Sequence, residues 1–330
     1  MLEYAMPILV TGSAGFIGSH VAQYLLGRGE QVIGIDNLNA YYDVALKRAR
    51  LARLEPHTGF SFVPVDITDA EGLAALFAGH PDIDAIIHLA AQAGVRYSLS
   101  NPLSYVDTNI KGQVVVLEAA RGLKGLKSLV YASSSSVYGA NEKQPFSTAD
   151  RADHPVSLYA ASKRAAELVT ETYTRLYGLP ATGLRFFTVY GPWGRPDMAY
   201  YLFTEAILAG RPIRLFNNGE MRRDFTYVDD ILPAIAAAAG PARAEPGQHR
   251  LYNLGNNRPE SLLDFIAALE QALGRKAVRE MAPMQPGDVT TTYADIEPAR
   301  RDLAFDPKIP IAEGLKRFVT WYREFHGTTS

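Results

Sequence analysis

Tyr159 and Lys163 stand four residues apart in Tyr159-Ala160-Ala161-Ser162-Lys163, a spacing that puts a phenol and an ammonium on one face of a helix. A free tyrosine ionises near about pH 10, too high for a base at neutral pH. A cation beside it favours the phenolate and makes proton abstraction from an alcohol feasible. Such a pair also occurs on solvated helix faces. What sets this one apart is Ser133-Ser134-Ser135-Ser136 upstream, flanked by Leu129-Val130-Tyr131 and Val137-Tyr138-Gly139. Those apolar flanks suit a strand end rather than a flexible linker. Hydroxyls at that end would face the same crevice as the phenol.

A second constellation precedes it. Val10-Thr11-Gly12-Ser13-Ala14-Gly15-Phe16-Ile17-Gly18 follows an apolar run and opens a helical pattern. Glycines let the backbone turn sharply and approach a pyrophosphate, while the helix start offers free N–H groups and its positive dipole end. Gly12, Gly15, Phe16, Ile17 and Gly18 are therefore expected to cradle a dinucleotide. Asp36 ends the next apolar run, where a carboxylate accepts from adenosine ribose hydroxyls and repels a 2′-phosphate. NAD is expected over NADP, with Asn37 beside the same ribose. Asp66-Ile67 and Leu89-Ala90-Ala91 close two further apolar runs and serve either adenine and the cofactor or strand-end packing.

The elements that must position these groups alternate. Candidate strands are Ile8–Val10, Val32–Ile35, Phe60–Val65, Ala85–Leu89, Ser128–Ala132 and Thr182–Phe187. Their continuous apolar character predicts strands buried on both faces of a parallel sheet. Phe16–Arg28 and Ser162–Leu176 carry helical spacing. The alternation predicts an α/β fold, a doubly wound parallel (Rossmann) sheet over residues 1–190. After the turn-rich Gly191-Pro192-Trp193-Gly194-Arg195-Pro196, residues 191–330 read as a smaller mixed α/β substrate-binding region interleaved with the first. The chain has 330 residues, 47 % of them hydrophobic, and a net charge of −2. That balance gives no reason to expect nucleic acid or a membrane surface as partner. No cysteine is present, which excludes thiolate catalysis and Cys-based metal sites, and no metal is expected. MLEYAMPILVTG is too short and polar for a signal peptide, and no apolar run is long enough to span a bilayer, so a cytoplasmic location is the default.

Taken together, Gly12-xx-Gly15-xx-Gly18, Asp36, Ser134, Tyr159-xxx-Lys163, Asn109 and Arg223-Asp224-Phe225 resemble the extended short-chain dehydrogenase/reductase family. Three stretches are similar to its UDP-glucuronate 4-epimerases: Asp36 to Asp43, Ala91 to Ser98, and Arg185 to Met198. The resemblance implies that Tyr159 takes the proton of a sugar 4-hydroxyl, that Lys163 holds the nicotinamide ribose, and that Ser134 bonds the same sugar oxygen. It places Asn109 in the cofactor site. Sister 4,6-dehydratases carry an Asp-Glu pair where this chain has Ser135 and Ser136, and decarboxylases carry Glu at Ser136. Thr188 replaces an Asn of galactose epimerases, which points to a uronic acid held by Ser135, Ser136 and Thr188. Arg223 and Arg195 are candidates for the diphosphate, Phe216 for uracil or for core packing, and Asp288 for the uridine ribose. Gln285 stands where relatives have Arg, and Arg214 and Arg222 read as surface charges. The expected activity is NAD-dependent C4 epimerisation of UDP-glucuronate by a homodimer built on the helices after Asn101 and Tyr159. Alternatives are decarboxylation of UDP-glucuronate, epimerisation of UDP-glucose, and a non-catalytic NAD-binding scaffold.

Overall fold

The computed structural model describes residues 6–240, 247–284 and 290–328. In chain order it forms β1 (Ile8–Thr11), α1 (Phe16–Gly27), β2 (Val32–Asp36), α2 (Val44–Ala52), β3 (Phe60–Pro64), α3 (Ala70–Gly79) and β4 (Ala85–His88). Two short helices, α4 (Tyr97–Ser100) and α5 (Pro102–Tyr105), lead through a π-helical stretch into α6 (Gly112–Arg121). Then come β5 (Ser128–Ser134), a 3₁₀ turn over Ser135–Tyr138, α7 (Leu158–Tyr177), β6 (Ala181–Phe186), β7 (Thr188–Tyr190), α8 (Ala199–Leu208), β8 (Ile213–Phe216) and β9 (Arg222–Tyr227). The chain continues with α9 (Val228–Ala239), β10 (His249–Leu254), β11 (Pro259–Ser261), α10 (Leu262–Leu273), β12 (Arg279–Ala282), α11 (Glu297–Leu303) and α12 (Ile311–His326).

These elements fall into two compact units. The first holds the chain to Gly139 with Ala152–Arg185 and Leu232–Tyr252. The second holds Ala140–Arg151, Phe186–Ile231 and the chain from Asn253.

The central sheet has seven strands in the order β10-β6-β5-β4-β1-β2-β3. It is parallel, with Ile8 in register with Val32 on one side and Ala85 on the other. Order reverses between β1 and β4, and a doubly wound sheet opens a crevice at the carboxyl ends of such a pair. Strands β1, β2 and β4 are buried along their whole length. β3 is only partly buried, at the sheet's edge with a neighbouring strand on one side only. The expectation of burial on both faces fails there. Leu9, Ile33, Ile86 and Leu129 of the sheet pack with Leu73 and Phe77 of α3 and Val116 and Leu117 of α6. Each such side chain contributes roughly 1.5–3 kcal/mol by leaving water.

The second unit builds a three-stranded sheet, β11-β9-β7, and a two-stranded one, β12-β8. Tyr200 and Tyr201 of α8 pack their rings against Phe318 of α12. Among the described residues no helix is long and apolar enough to cross a membrane.

Candidate active site

Gly12 turns the chain out of β1 at φ +70°, and a Cβ on it would lie 2.8 Å from the backbone nitrogen of Ala90 beyond β4. A Cβ on Gly18 would run into the carbonyl oxygen of Gly12. The two glycines are thus required by close approach, and the turn sits at the switch point between β1 and β4. Helix α1 starts after Gly15 with no side chain capping its first N–H groups. Those donors suit an anion. Phe16 is buried and Ile17 half-buried behind them. Asp36 is 9 % exposed; its carboxylate accepts from Leu38 N at 2.8 Å and Ala14 N at 3.3 Å. A carboxylate has about four acceptor positions, so room remains for hydroxyls.

Neighbouring strand ends are tied to this turn. Thr11 Oγ1 lies 2.7 Å from His88 Nδ1 and accepts from Ala90 N at 3.0 Å, fixing Leu89-Ala90-Ala91. Burial, with the Lys163 charge nearby, pushes the His88 imidazole down to about 3, so it is a neutral hydrogen-bonding ring. Asn37 donates to Asp66 at 2.7 Å and Thr68 N donates at 2.8 Å. Burial pushes the Asp66 carboxyl up, but these bonds outweigh it and hold it below its ordinary value. Ile67 packs beneath, buried. Asn109, in the π-helical stretch, accepts from Gln92 N and donates to Gln92 O and to Ser162 Oγ at 2.8, 3.0 and 2.9 Å. Its side chain is spent on positioning the segment after β4 and on α7.

Helix α7 is capped by Ser157, whose Oγ accepts from Ala160 N, and stops at left-handed Gly178. It packs against β5 and the turn that follows. Lys163 is buried and donates to Ala132 O of β5 at 2.9 Å. Tyr159, one turn earlier, is half-buried, its ring edge-on to Tyr105 at 6.0 Å. Tyr105 in turn donates to Ala93 O at 2.9 Å. Ser134 ends β5 and accepts from Ser136 N at 3.2 Å, capping the turn that carries half-buried Ser135 and Ser136. The first unit therefore gathers the glycine turn, Asp36, Ser134 and the Tyr159–Lys163 face around the carboxyl ends of its central strands.

Sequence reasoning missed what lies beneath. Glu167 continues the Tyr159–Lys163 stripe one turn further, a signal that the four-residue spacing offered. Its carboxylate takes Ser133 Oγ at 2.6 Å, Arg164 at 3.0 Å and both ends of the Arg185 fork at 2.8 Å. Burial pushes the Glu167 carboxyl up, yet Arg185, Ser133 and Arg164 outweigh it and hold it below its usual range. The Arg185 guanidinium lies 4.8 Å from the Tyr138 ring centre.

Of the described residues expected at the substrate, Thr188, Arg195, Phe216 and Arg223 lie in the second unit, and Ser134, Ser135, Ser136 and Tyr159 in the first. Thr188 opens β7, half-buried, in register with Phe225 of β9. Arg195 is engaged by Asp197, Nε to Oδ1 at 3.0 Å. Arg223 is half-buried and donates to Thr290 O at 3.1 Å. Next to it Asp224 is fully buried and takes the backbone N–H groups of Asn256, Asn257 and Ala294. Burial pushes its carboxyl up to about 7 against those three donors. Phe216 is half-buried with the Arg214 guanidinium 5.6 Å from its ring centre. Asp288 and Gln285 lie outside the described residues. Among the described residues no cluster of His, Asp and Glu is arranged to hold a metal.

Residues 8–255 match the NAD dependent epimerase/dehydratase family. The chain is 48 % identical to UDP-glucuronate 4-epimerase 4 of Arabidopsis thaliana, over 97 % of this chain and 76 % of that one. It superposes on UDP-glucuronic acid 4-epimerase from Bacillus cereus, solved with UDP-glucuronic acid and NAD, with a TM-score of 0.90 and 35 % identity, over 97 % of this chain and all of that one. UDP-glucose 4-epimerase from Thermotoga maritima, solved with UDP-glucose, gives 0.87 and 33 %, again over 97 % of this chain and 100 % of the other.

Proposed function

The chain belongs to the NAD dependent epimerase/dehydratase family, and from that premise we propose that it interconverts UDP-glucuronate and UDP-galacturonate at C4 through a 4-keto sugar. The observation that carries the substrate reading is the end of β5, where Ser134, Ser135 and Ser136 present hydroxyls and no carboxylate. Elimination of water across C5 and C6 needs acids there. A substrate carboxylate, by contrast, is repelled by acids and satisfied by hydroxyl donors.

The glycine turn fits NAD, because α1 opens after Gly15 with no side chain capping its first N–H groups, which are left to take a pyrophosphate. Gly12, Gly15, Phe16, Ile17 and Gly18 would hold the pyrophosphate, Asp36 and Asn37 the adenosine ribose, and Asp66 and Ile67 the adenine. Leu89, Ala90, Ala91, Asn109, Tyr159 and Lys163 would line the nicotinamide side. Bound NAD supplies the acceptor, and then the donor, of the C4 hydride, so the reaction has no net redox change. Tyr159 removes the 4-hydroxyl proton and later returns it. Lys163 keeps a positive charge beside the phenolate, and Ser134 donates to the reacting oxygen. The 4-keto-6-carboxylate is a β-keto acid, so Ser135 and Ser136 must also hold the carboxylate in an orientation that resists loss of CO₂. Arg195, Phe216, Arg223 and Asp288 are assigned to the nucleotide by the resemblance alone.

Incubation with UDP-glucuronate followed by NMR of the products tests this reading. Appearance of the galacto epimer supports it; a pentose product or no reaction refutes it. The same assay on Thr188→Val tests the assignment of the Thr188 hydroxyl to the carboxylate. A hydrogen bond to a charged group is worth roughly 1.5–3 kcal/mol, so kcat/KM for UDP-glucuronate is expected to fall about ten- to a hundredfold. UDP-glucose, which the Thermotoga maritima relative binds, should be far less affected. Equal losses on both substrates would make Thr188 a packing residue.

We also propose a homodimer. Leu99, Leu103 and Val106 are 66, 72 and 40 % exposed, and Leu168, Leu176 and Tyr177 of α7 are 49, 67 and 48 % exposed. Exposed apolar side chains in this number suit a covered face. A monomer by light scattering at micromolar concentration would remove this proposal.

A further inference from the structure

Trp193 has φ +59°, a left-handed backbone that a bulky side chain adopts only where its surroundings impose it. It stands two residues before Arg195, in the turn-rich stretch that closes the strand pattern of the sequence, and nothing above uses its ring. The second unit shows what holds it. Trp321 and Phe325, one turn apart on α12, stack on each other at 5.4 Å and 22°. The half-buried Trp193 ring leans on both, 5.3 Å from each ring centre. Aromatic pairs at such distances attract beyond the area they bury. The platform is itself anchored. Arg323 Nη2 of α12 donates to Leu273 O at the end of α10 at 2.8 Å, and His326 Nε2 lies 2.7 Å from Tyr201 Oη of α8. The buried Trp321 indole N–H meets no acceptor among the described residues, so packing alone seats that side chain. On the other side of the turn, Tyr200 Oη of α8 accepts from Arg195 N at 3.2 Å. Asp197 takes the Arg195 side chain, Nε to Oδ1 at 3.0 Å. Backbone and guanidinium of Arg195 are both fixed, next to a residue clamped on α12. That helix lies beyond residue 255, where the family match ends.

We propose that Trp193 is a positioning residue for nucleotide-sugar binding: seated on the Trp321–Phe325 platform, it holds the turn in its left-handed form and so presents the Arg195 guanidinium to the diphosphate. The inference rests on the assignment of Arg195 to the nucleotide given above. Its physical basis is preorganisation. A guanidinium fork recognises phosphate oxygens only in a defined orientation. An arginine on a loose turn must be ordered when the ligand arrives, and that lost freedom is subtracted from the affinity. Here the ordering is done when the second unit folds, by rings that need not touch the ligand. The strain at Trp193 is the sign that the packing, and not local preference, sets the turn.

The test titrates UDP by calorimetry into the full chain supplied with NAD⁺, and measures KM and kcat on UDP-glucuronate for the same proteins. Trp193→Gly accepts the positive φ and removes the ring. Its Kd for UDP is expected to rise about tenfold and KM with it, while kcat and dinucleotide content change by less than about twofold. Phe325→Ala weakens the platform from the α12 side, without touching the turn, and should raise Kd about three- to fivefold. Adding it to Trp193→Gly should cost nothing further, since both act through one contact. Trp193→Phe keeps a ring on the platform and should recover most of the affinity. Trp193 and Trp321 are the two tryptophans of the chain, so exciton coupling of their indoles in circular dichroism reports the clamp itself. Wild type should show the coupling, and Phe325→Ala should weaken it as Kd rises. If Trp193→Gly does not fold, Phe325→Ala and Trp193→Phe decide by the same readouts. A folded Trp193→Gly or Phe325→Ala with wild-type UDP affinity overturns the proposal, as do losses of kcat and dinucleotide as large as the loss of UDP. Unchanged UDP affinity in Arg195→Gln would instead remove the nucleotide assignment on which it rests.

Discussion

Tyr159→Phe is expected to lower kcat on UDP-glucuronate by about two to four orders of magnitude, the usual contribution of a positioned general base. The substitution deletes one oxygen and leaves the ring. Packing against Tyr105 at 6.0 Å therefore persists, as do the Ser157 cap and the bond from Lys163 to Ala132 O. Helix α7 has no reason to move. KM and the amount of dinucleotide that co-purifies should stay close to wild type, since the phenolic oxygen is asked to act in the transition state. Lys163→Met offers the contrast: it removes a buried donor that the proposal places on the cofactor, so dinucleotide content should fall along with kcat. Turnover within tenfold of wild type in Tyr159→Phe would mean that another group takes the proton. Loss of the dinucleotide in the same variant would mean that the hydroxyl supports the fold or the cofactor rather than the chemistry.

The parts of this site that were legible in the sequence are those dictated by local backbone needs. The glycine turn reads clearly because Gly12 needs positive φ and Gly18 needs close approach, and no other residue meets both conditions. Asp36 reads because it closes β2, whose apolar run is uninterrupted. The Tyr159–Lys163 stripe reads because α7 is a long, well-capped helix with regular spacing. What stayed hidden depends on partners far along the chain. α2, Val44-Ala45-Leu46-Lys47-Arg48-Ala49-Arg50-Leu51-Ala52, has the composition of a solvated surface helix. Yet Lys47 and Arg50 turn inward, Lys47 to within 4.0 Å of Asp36 and Arg50 to donate to Ala14 O at 3.1 Å, and those partners belong to other elements. β3 carries the same apolar content as a central strand, and its place at the sheet's edge is set by the winding of the whole sheet. The assignment of Ala140–Arg151 to the second unit likewise follows from long-range packing, such as Asn253 Nδ2 donating to Phe146 O at 2.8 Å, and that of Leu232–Tyr252 to the first from bonds such as Ser128 Oγ donating to Ala238 O at 3.1 Å. No local composition marks those crossings.

Glu167→Gln is expected to destabilise the protein by about 3–5 kcal/mol at neutral pH, the cost of removing one partner from a buried ion pair. Arg185 and Glu167 are 1 and 0 % exposed, so water cannot replace the lost charge. Glutamine also turns one acceptor into a donor, which then faces either the Arg185 fork or the Arg164 guanidinium. The pH dependence carries a definite sign. The folded carboxyl is held below its ordinary value, chiefly by Arg185 once the opposing cost of burial is met. Its contribution to stability is therefore fully present above the unfolded value of about 4.3 and is lost as pH falls through the depressed folded value. Denaturant titrations of both proteins should show a gap that is constant from pH 8 to about 5 and narrows below that. A gap that widens on acidification, or none at pH 7, would mean that the pair is not a net stabiliser. Ser133 ties the consequence to catalysis, because it donates to Glu167 and directly precedes Ser134. Loss of that anchor lets the end of β5 shift, so kcat should fall several-fold in the folded variant with KM for the nucleotide sugar little changed. Ser133→Ala removes the same anchor without burying an unpaired charge, and it should reproduce the kinetic loss at a smaller stability cost, about 1.5–3 kcal/mol for a hydrogen bond to a charged group. If Ser133→Ala leaves kcat untouched while Glu167→Gln lowers it, the network acts through α7 and Lys163 instead of through the serine turn.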